Sequence, residues 1–396
     1  MNKTKVAIVK GPQRPNKSQI EASVRKAIEL VGGLDDIKKG DIVLIKPNVC
    51  APAEPDSPKV TNKTVCTAIA DMVKEKGGRP IIGEAPGVLD PDSEKCFKAT
   101  GYDKLRELGY EVMDLKGKDT PMVKVPVPKG KVLKELTLPK ILFDAKLVIT
   151  VPVMKTHGQG ATLGLKNMKG VLPDKTKKDF HRVYGVSQAI ADLMTVAKPG
   201  LSVVDGIVAM EGLGPMLGDR VELGVIIAGK DPVAVDSVTG AVMGFAPEEL
   251  SITVDANKAG IGVMDLNKIE IIGTPLKDVQ RHFKRVEEVV RTVRFPEGFQ
   301  MLIDEKACTG CREAVLGAIF SLEKAGNLDK LVGWTIVAGT TENAPEAKKD
   351  KLLLFGSCTA KYKSLGTYVK GCPPWGWDIP RIVTGVRKTP EWLEKY

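Results

Sequence analysis

Apolar runs of strand length alternate with segments of helical periodicity through residues 1–275, and this alternation limits the fold more than any other feature of the chain. Residues 41–46 and 145–152 are continuous apolar runs, as in strands that are buried on both faces. Segments with helical periodicity, over 18–31 and 62–76, flank the first of these runs. Such alternation is typical of a sheet covered by helices. We therefore predict an α/β fold with a parallel or mixed sheet flanked by helices.

Two regions depart from the alternation. Residues 116–140 are rich in Lys, Pro and Val, which predicts an excursion of short β-strands. Beyond about residue 275 the composition changes to basic helix followed by cysteine-bearing segments. A chain of 396 residues is also too long for one hydrophobic core. We predict an α/β ligand-binding domain over 1–275 and a smaller Cys-rich, metal-binding domain over 276–396.

The cysteines of the predicted C-terminal domain indicate a metal centre. Cys308 and Cys311 form a CxxC turn, and Cys358 and Cys372 follow singly. Four such residues match a four-coordinate zinc site or a Cys-ligated iron–sulfur cluster. A proline follows Cys372, as it follows the last cysteine of a common cluster-binding run, and the second CxxC of a zinc ribbon is missing. We predict a 4Fe–4S cluster, with zinc, a thiol–disulfide pair or inert buried thiols as the alternatives.

The segment 154–182 is rich in glycine and lysine and directly follows the apolar run 145–152. That position is the sheet edge where α/β proteins bind their ligands. Glycines allow close backbone approach, and the lysines add positive charge that suits a phosphate or carboxylate. The segment has neither Walker nor dinucleotide-binding glycine spacing, and a solvated loop is the alternative interpretation. Its candidate ligand-binding residues are Lys155, Thr156, Gly158, Gly160, Thr162, Lys166, Asn167, Lys169 and Arg182.

Proton transfer at such a site needs a side chain that can gain and lose a proton. His157 lies within the segment and His181 lies near its end, so both are candidates for an acid or base. Glu84 follows a predicted strand and is the third candidate. Further residues at strand ends are expected to line the same crevice, with turn formation and capping as the alternative. They are Lys46, Asn48, Asp205 and Glu211.

The net charge of +10 comes mostly from lysine, and it is compatible with acidic partners. The lysines lack interleaved aromatic residues, so nucleic acid is an unlikely partner and a small anionic ligand is preferred. The first residues lead directly into a strand-like run, without the pattern of a signal peptide, and no apolar run has the length of a membrane span. We expect a cytoplasmic protein without a membrane partner, in which disulfides are rare.

Six ordered motifs resemble the domain-of-unknown-function family numbered 362. They occupy residues 45–49, 83–87, 151–157, 164–170, 204–206 and 231–236. The resemblance implies an α/β fold in a cytoplasmic protein of an anaerobic bacterium or archaeon. Many members of the family carry a ferredoxin-like iron–sulfur module at the C-terminus. This chain lacks the CxxCxxCxxxCP run of such a module, so the resemblance implies a single cluster in different surroundings.

The sequence thus favours an iron–sulfur oxidoreductase or electron-transfer protein that acts on a small anionic ligand and exchanges electrons with a partner protein. One alternative is an isomerase or lyase that acts on a carboxylate and carries a structural zinc. Another is a protein that delivers a cofactor or metal. The metal group that the four cysteines bind distinguishes these functions, because only the first requires a redox-active cluster.

Overall fold

The computed structural model describes residues 3–87, 92–158, 160–304 and 307–386. The chain forms two compact units. The first consists of Met1–Phe180 and Val186–Arg285, and the second consists of His181–Gly185 and Val286–Tyr396. The second unit therefore begins later than the sequence-based boundary at residue 275, and it includes a short segment from the middle of the chain.

The first unit is built on a mixed β-sheet. The strands of this unit are β1 (Thr4–Lys10), β2 (Ile42–Pro47), β3 (Arg79–Glu84), β4 (Glu111–Asp114), β5 (Met122–Pro126), β6 (Glu135–Pro139), β7 (Leu147–Val151), β8 (Val153–His157), β9 (Gly160–Thr162), β10 (Leu201–Glu211), β11 (Asp219–Gly229) and β12 (Ile269–Gly273). Among the described residues ten of these strands belong to the mixed sheet, in the order β12-β1-β11-β10-β7-β2-β3-β4, with β8 pairing with β10 and β9.

Helices cover the sheet. They are α1 (Lys17–Leu30), α2 (Lys63–Glu75), α3 (Ser93–Thr100), α4 (Lys104–Glu107), α5 (Ile141–Asp144), α6 (Gly164–Asn167), α7 (Asp174–Asp179), α8 (Val186–Ala197), α9 (Pro232–Val242) and α10 (Ser251–Lys258). Strand β2 runs parallel to both β3 and β7, whereas β11 is antiparallel to β1 and β10. The predicted α/β class with a mixed sheet flanked by helices is confirmed. The short strands predicted over 116–140 are confirmed as the antiparallel pair β5–β6.

Apolar side chains on the helices form separate cores with the sheet. Val24 of α1 and Ile69 of α2 are fully buried in one core, together with Ile45 of β2. Val238 of α9 lies in another core with Ile227 of β11. Burying one such side chain contributes about 1.5–3 kcal/mol to folding. The continuous apolar character of the strands thus reflects burial on both faces.

The second unit contains a small, entirely parallel sheet. Its strands follow one another in space as in the chain, in the order β13 (Gln300–Ile303), β14 (Thr335–Ala338), β15 (Leu352–Phe355) and β16 (Thr367–Val369). Its helices are α11 (Val286–Thr292), α12 (Thr309–Lys324) and α13 (Asp378–Thr384). Helix α12 connects β13 to β14 and packs Val315 and Ile319 against Ile336 of β14. Because all four strands are parallel, their carboxyl ends lie at one edge.

None of the helices described in either unit combines the length and the apolar character that a bilayer span requires.

Asp231 begins helix α9, as its position before Pro232 predicts. Its Oδ1 accepts hydrogen bonds from Val233 N at 2.9 Å and Ala234 N at 3.0 Å, and its Oδ2 accepts one from Val263 N at 2.9 Å. Asp231 is therefore the N-cap of α9.

Replacement of Asp231 by Ala should lower the free energy of unfolding by about 1–2 kcal/mol, because three backbone N–H groups lose their acceptor. Urea denaturation measures the change. Asp231→Asn is the matched control, since its side-chain oxygen can still cap the helix. Equal stability of the Ala variant and the wild type would contradict the assigned role.

Candidate functional site

A buried ion pair lies where two parallel strands of the first unit end. Lys46 lies in β2, and Glu84 is the last residue of β3, the neighbouring strand. Lys46 Nζ donates to Glu84 Oε2 at 2.9 Å, and the two side chains are only 1% and 2% exposed. The same ammonium donates to Asn167 Oδ1 at 2.8 Å and to Pro47 O at 2.8 Å. The pair is therefore held in place by hydrogen bonds to uncharged groups as well as by charge.

The segment that contains helix α6 closes over this pair. Asn167 Nδ2 donates to Lys46 O at 3.1 Å and to Thr150 Oγ1 at 3.0 Å, so the amide bridges β2 and β7. Gly170 O accepts a hydrogen bond from Ala85 N at 2.9 Å. A Cβ on Gly170 would lie 2.3 Å from Glu84 Oε1 and 2.4 Å from Lys46 Nζ. Only glycine fits at this position without displacing the ion pair.

A second buried ammonium lies in the same unit. Lys155 of β8 donates to Asn48 Oδ1 at 2.6 Å and to Lys59 O at 2.8 Å. Burial lowers the pKa of Lys155 and of Lys46, and for Lys46 the nearby charge of Glu84 opposes this effect. Burial raises the pKa of Glu84, again against the attraction of Lys46. Desolvation thus favours the uncharged form of each group.

The interpretation of residues 154–182 as a glycine-rich loop was wrong in its local structure. The segment begins as strand β8, which pairs with β9 and β10, and continues into α6 and α7. Six of the candidate residues are buried, namely Lys155, Thr156, His157, Thr162, Lys166 and Asn167. Gly158 is exposed, and Gly160, the first residue of β9, has a φ of +91°. The polar composition did not indicate strand β8, in which Lys155 and Thr156 are buried and donate hydrogen bonds within the protein.

Asp205 and Glu211, both in β10, make contacts that fit the alternative of turn formation and capping. Asp205 accepts hydrogen bonds from Asn62 N at 2.8 Å and from Ile207 N at 3.1 Å, and burial raises its pKa to about 6. Glu211 accepts a hydrogen bond from Arg281 Nη2 at 3.1 Å. These carboxylates hold backbone and side chains of their own unit.

His181 and Arg182 belong to the second unit, unlike the other candidates of the 154–182 segment. His181 Nδ1 lies 2.5 Å from Thr309 Oγ1, which is part of the CxxC turn. Lys169 is partly buried in the first unit. The structure therefore brings Lys46, Glu84 and Asn167 together, but it places His181 beside the cysteines.

The four cysteines of the second unit follow strands of one parallel sheet. Cys308 and Cys311 follow β13, Cys358 follows β15, and Cys372 follows β16. Since the carboxyl ends of parallel strands share one edge, the topology brings four separate cysteines to the same place.

The loops that carry these cysteines are tied together. Ser357 donates to Gly371 O from its backbone N at 2.8 Å and from its hydroxyl at 2.9 Å, which joins the Cys358 and Cys372 loops. A Cβ on Gly356, whose φ is +104°, would lie 3.3 Å from Cys311 Sγ. The CxxC turn and the Cys358 loop are therefore in close contact.

The thiols influence one another electrostatically. A hydrogen bond from Cys311 lowers the pKa of Cys308 to about 6, against the effect of partial burial. The same hydrogen bond raises the pKa of Cys311, as do burial and the charges of the other three thiols. Burial and the charges of Cys372 and Cys308 raise the pKa of Cys358. Cys311 is thus the thiol whose pKa responds to the charges of all three others.

In the described parts of the chain, no three His, Cys, Asp or Glu side chains are close enough to hold a metal ion between them. The four thiols nevertheless supply the all-sulfur donor set of an iron–sulfur cluster, whose iron atoms each bind a separate thiolate. Cys308 is also the N-cap of the sixteen-residue helix α12, where the helix dipole favours negative charge.

Sequence reasoning missed several buried ionisable residues, among them Lys177 and Asp236. Lys177 donates to Ala85 O at 2.5 Å and to Pro86 O at 2.8 Å, and burial lowers its pKa to about 7. Asp236 accepts hydrogen bonds from Gly164 N at 2.8 Å and from Leu165 N at 3.1 Å. Lys177 lies in a charged run typical of a solvated helix, so the sequence contains no signal for its burial.

The chain belongs to the family described as domain of unknown function (DUF362), whose model matches residues 43–241. It is 31% identical over 248 residues to a thylakoid-associated protein of Synechocystis sp., and the match covers 61% of this chain and 75% of that protein. The predicted family membership is confirmed.

Among solved structures, the lactate racemase apoprotein from Thermoanaerobacterium thermosaccharolyticum is similar, with 13% identity and a TM-score of 0.39. That match covers 85% of this chain and 70% of the other. We draw no inference from a similarity of this size.

Replacement of Gly170 by Ala should lower the free energy of unfolding by about 3–5 kcal/mol, because the added methyl group would separate a buried ion pair. Gly11→Ala is the control, since its nearest neighbour would be the Ser23 hydroxyl at 3.2 Å and no charged pair is involved. Chemical denaturation of both variants measures the difference. Equal losses of stability in the two variants would contradict the proposed packing.

Asp236 should make stability depend on pH, because burial raises its pKa from 3.8 to about 7. Between these values the folded state binds the proton more tightly than the unfolded state, so this contribution to stability is lost as pH rises. The stability of the wild type relative to Asp236→Asn should therefore fall as pH rises from about 4 to about 7, by up to about 1.4 kcal/mol per unit.

Urea denaturation over this pH range measures that difference. Asp265→Asn is the control, because Asp265 is exposed and hydrogen bonding from Asn267 N lowers its pKa. Its replacement should produce no such fall. A wild-type stability that rises relative to Asp236→Asn over the same range would contradict the assignment.

Proposed function

We propose that the protein is an iron–sulfur electron-transfer protein or oxidoreductase whose 4Fe–4S cluster is held by Cys308, Cys311, Cys358 and Cys372. One observation supports this most strongly: three strands of a parallel sheet end in loops that carry these four thiols to one edge. A cluster bound there would supply reversible one-electron chemistry. The residues of the chain would hold it and control its access to solvent.

Several features favour a cluster over a structural zinc. The donor set is four thiols with a single CxxC, and the last of them precedes proline. Gly310 and Gly356 allow the cysteine-bearing segments to pack closely, because a Cβ at these positions would lie 3.1 Å from the Pro373 ring and 3.3 Å from Cys311 Sγ. His181 lies against Thr309 within the CxxC turn, where its hydrogen bond can position the loop.

A small anionic ligand in the first unit is the second part of the proposal. It is supported by the buried ammonium group of Lys155, whose hydrogen bonds go to the uncharged oxygens of Asn48 and Lys59. Burial lowers the pKa of this group, and a bound anion would stabilise its charged form. Glu84 and His157 would then be the candidates for moving a proton. The same observation would suit an isomerase or lyase that acts on a carboxylate, with zinc in the second unit.

A delivery protein for a cofactor or metal remains a further candidate. Such a protein would bind its metal centre loosely enough to release it. Partial exposure of the thiols is compatible with release, since Cys358 is exposed and Cys308 and Cys372 are half-buried. We also propose that the protein works in the cytoplasm of an anaerobic organism. All seven cysteines are free thiols in the structure, as in a reducing compartment.

Anaerobically purified protein should contain about four iron atoms and about four sulfides per chain. It should show an absorption band that bleaches on reduction with dithionite and an EPR signal that appears with it. Ser replacement of Cys311 or Cys372 should abolish both signals, because each change removes one thiolate ligand. Cys50→Ser is the matched control, since Cys50 belongs to the first unit and should leave the cluster intact.

One zinc per chain without colour would contradict the redox function and favour the isomerase or lyase. Iron and sulfide that leave the protein in the presence of an apo-acceptor, without catalytic turnover, would favour delivery.

A further inference from the structure

We propose that the cysteine-bearing edge of the second unit is the docking surface for an acidic one-electron carrier protein of the ferredoxin or flavodoxin class. This inference rests on the proposed iron–sulfur function and names the partner of that site. The surface consists of the loops over 356–377, which carry two of the four cysteines, and it is called the basic edge below.

The charge of the basic edge has one sign. Residues 356–377 contain three lysines, Lys361, Lys363 and Lys370, and no Asp or Glu. All three lysines are exposed. A positive surface of this kind attracts a partner of negative charge and increases the rate of association. Elsewhere in the second unit, lysines lie beside acidic residues. Lys330, for example, pairs with Asp329 at 3.0 Å.

An exposed aromatic residue lies in the same segment. Trp375 is 47% exposed, and it follows Cys372 by three positions. The guanidinium of Arg381, which also pairs with Asp378 at 3.7 Å, lies 5.1 Å from the centre of the Trp375 ring and holds the indole in place. Tryptophan and arginine are enriched in the energetically dominant residues of protein interfaces, where lysines form the rim.

The redox centre would be accessible from the same side. Cys358 is exposed, and it lies in a loop with Lys361 and Lys363. A carrier bound to the lysines and Trp375 would therefore approach one of the cluster ligands directly. The transfer itself moves one electron from the reduced carrier to the oxidised cluster. It forms and breaks no bond and moves no proton.

The experiment uses the cluster-loaded protein and an acidic [2Fe–2S] ferredoxin as the probe. In the test variant Lys361, Lys363 and Lys370 are all replaced by Glu, and a second variant carries Gln at the same positions. In the control variant Lys330, Lys348 and Lys349 are replaced by Glu. These three lysines are exposed too, but they precede β14 and β15 and so lie toward the opposite edge of the sheet.

Two quantities are measured: the dissociation constant for oxidised ferredoxin, by calorimetry, and the rate constant for reduction of the cluster, by stopped flow. At an ionic strength of about 0.01 M the test variant should bind at least about tenfold more weakly and react at least about tenfold more slowly than the wild type. The Gln variant should be intermediate and the control variant close to wild type. The difference should largely disappear at about 1 M.

With basic cytochrome c as the partner, the test variant should bind more tightly and react faster than the wild type, because its glutamates attract a positively charged protein. Equal binding and rates in test and control variants, with iron and sulfide content intact, would overturn this inference and leave the iron–sulfur function standing. Loss of binding to anionic vesicles without any effect on ferredoxin would also overturn it, in favour of a membrane surface. Protein without iron and sulfide would overturn the inference together with the proposed function.

Discussion

The carboxyl ends of parallel strands meet at one edge of a sheet, and this constraint positions both groups of candidate residues. In the first unit it brings Lys46 of β2 next to Glu84 of β3. In the second unit it collects four cysteines from three loops that are distant in the chain. Each arrangement follows from strand order, together with side chains at or shortly beyond the carboxyl ends of the strands.

The buried ion pair of Lys46 and Glu84 is stabilised by the residues that surround it in the first unit. Moving two charges out of water costs several kcal/mol each, and hydrogen bonds to the paired groups recover part of that cost. Asn167, Val49 N and Pro47 O provide such hydrogen bonds. Gly170 makes room for them. The network therefore limits which residues can occupy the 164–170 motif, and this limitation applies whether or not a ligand binds.

Much of the first unit could be predicted from the sequence, because buried parallel strands such as β2 and β7 are continuous apolar runs. Strand β8 could not, since Lys155, Thr156 and His157 are polar residues whose burial depends on tertiary partners. The contact of His181 with the CxxC turn could not be predicted either. Residues 181–185 belong to a unit whose other residues begin only at Val286. The cysteine spacing predicted a shared centre but not the parallel sheet that brings the cysteines together.

The account depends most on the claim that the four cysteines hold an iron–sulfur cluster. Anomalous diffraction at the iron absorption edge, from crystals grown without oxygen, tests this most directly. The account predicts strong iron density at the carboxyl ends of β13, β15 and β16, bonded to the sulfur atoms of Cys308, Cys311, Cys358 and Cys372. A single peak at the zinc edge, or four thiols without anomalous density between them, would contradict it.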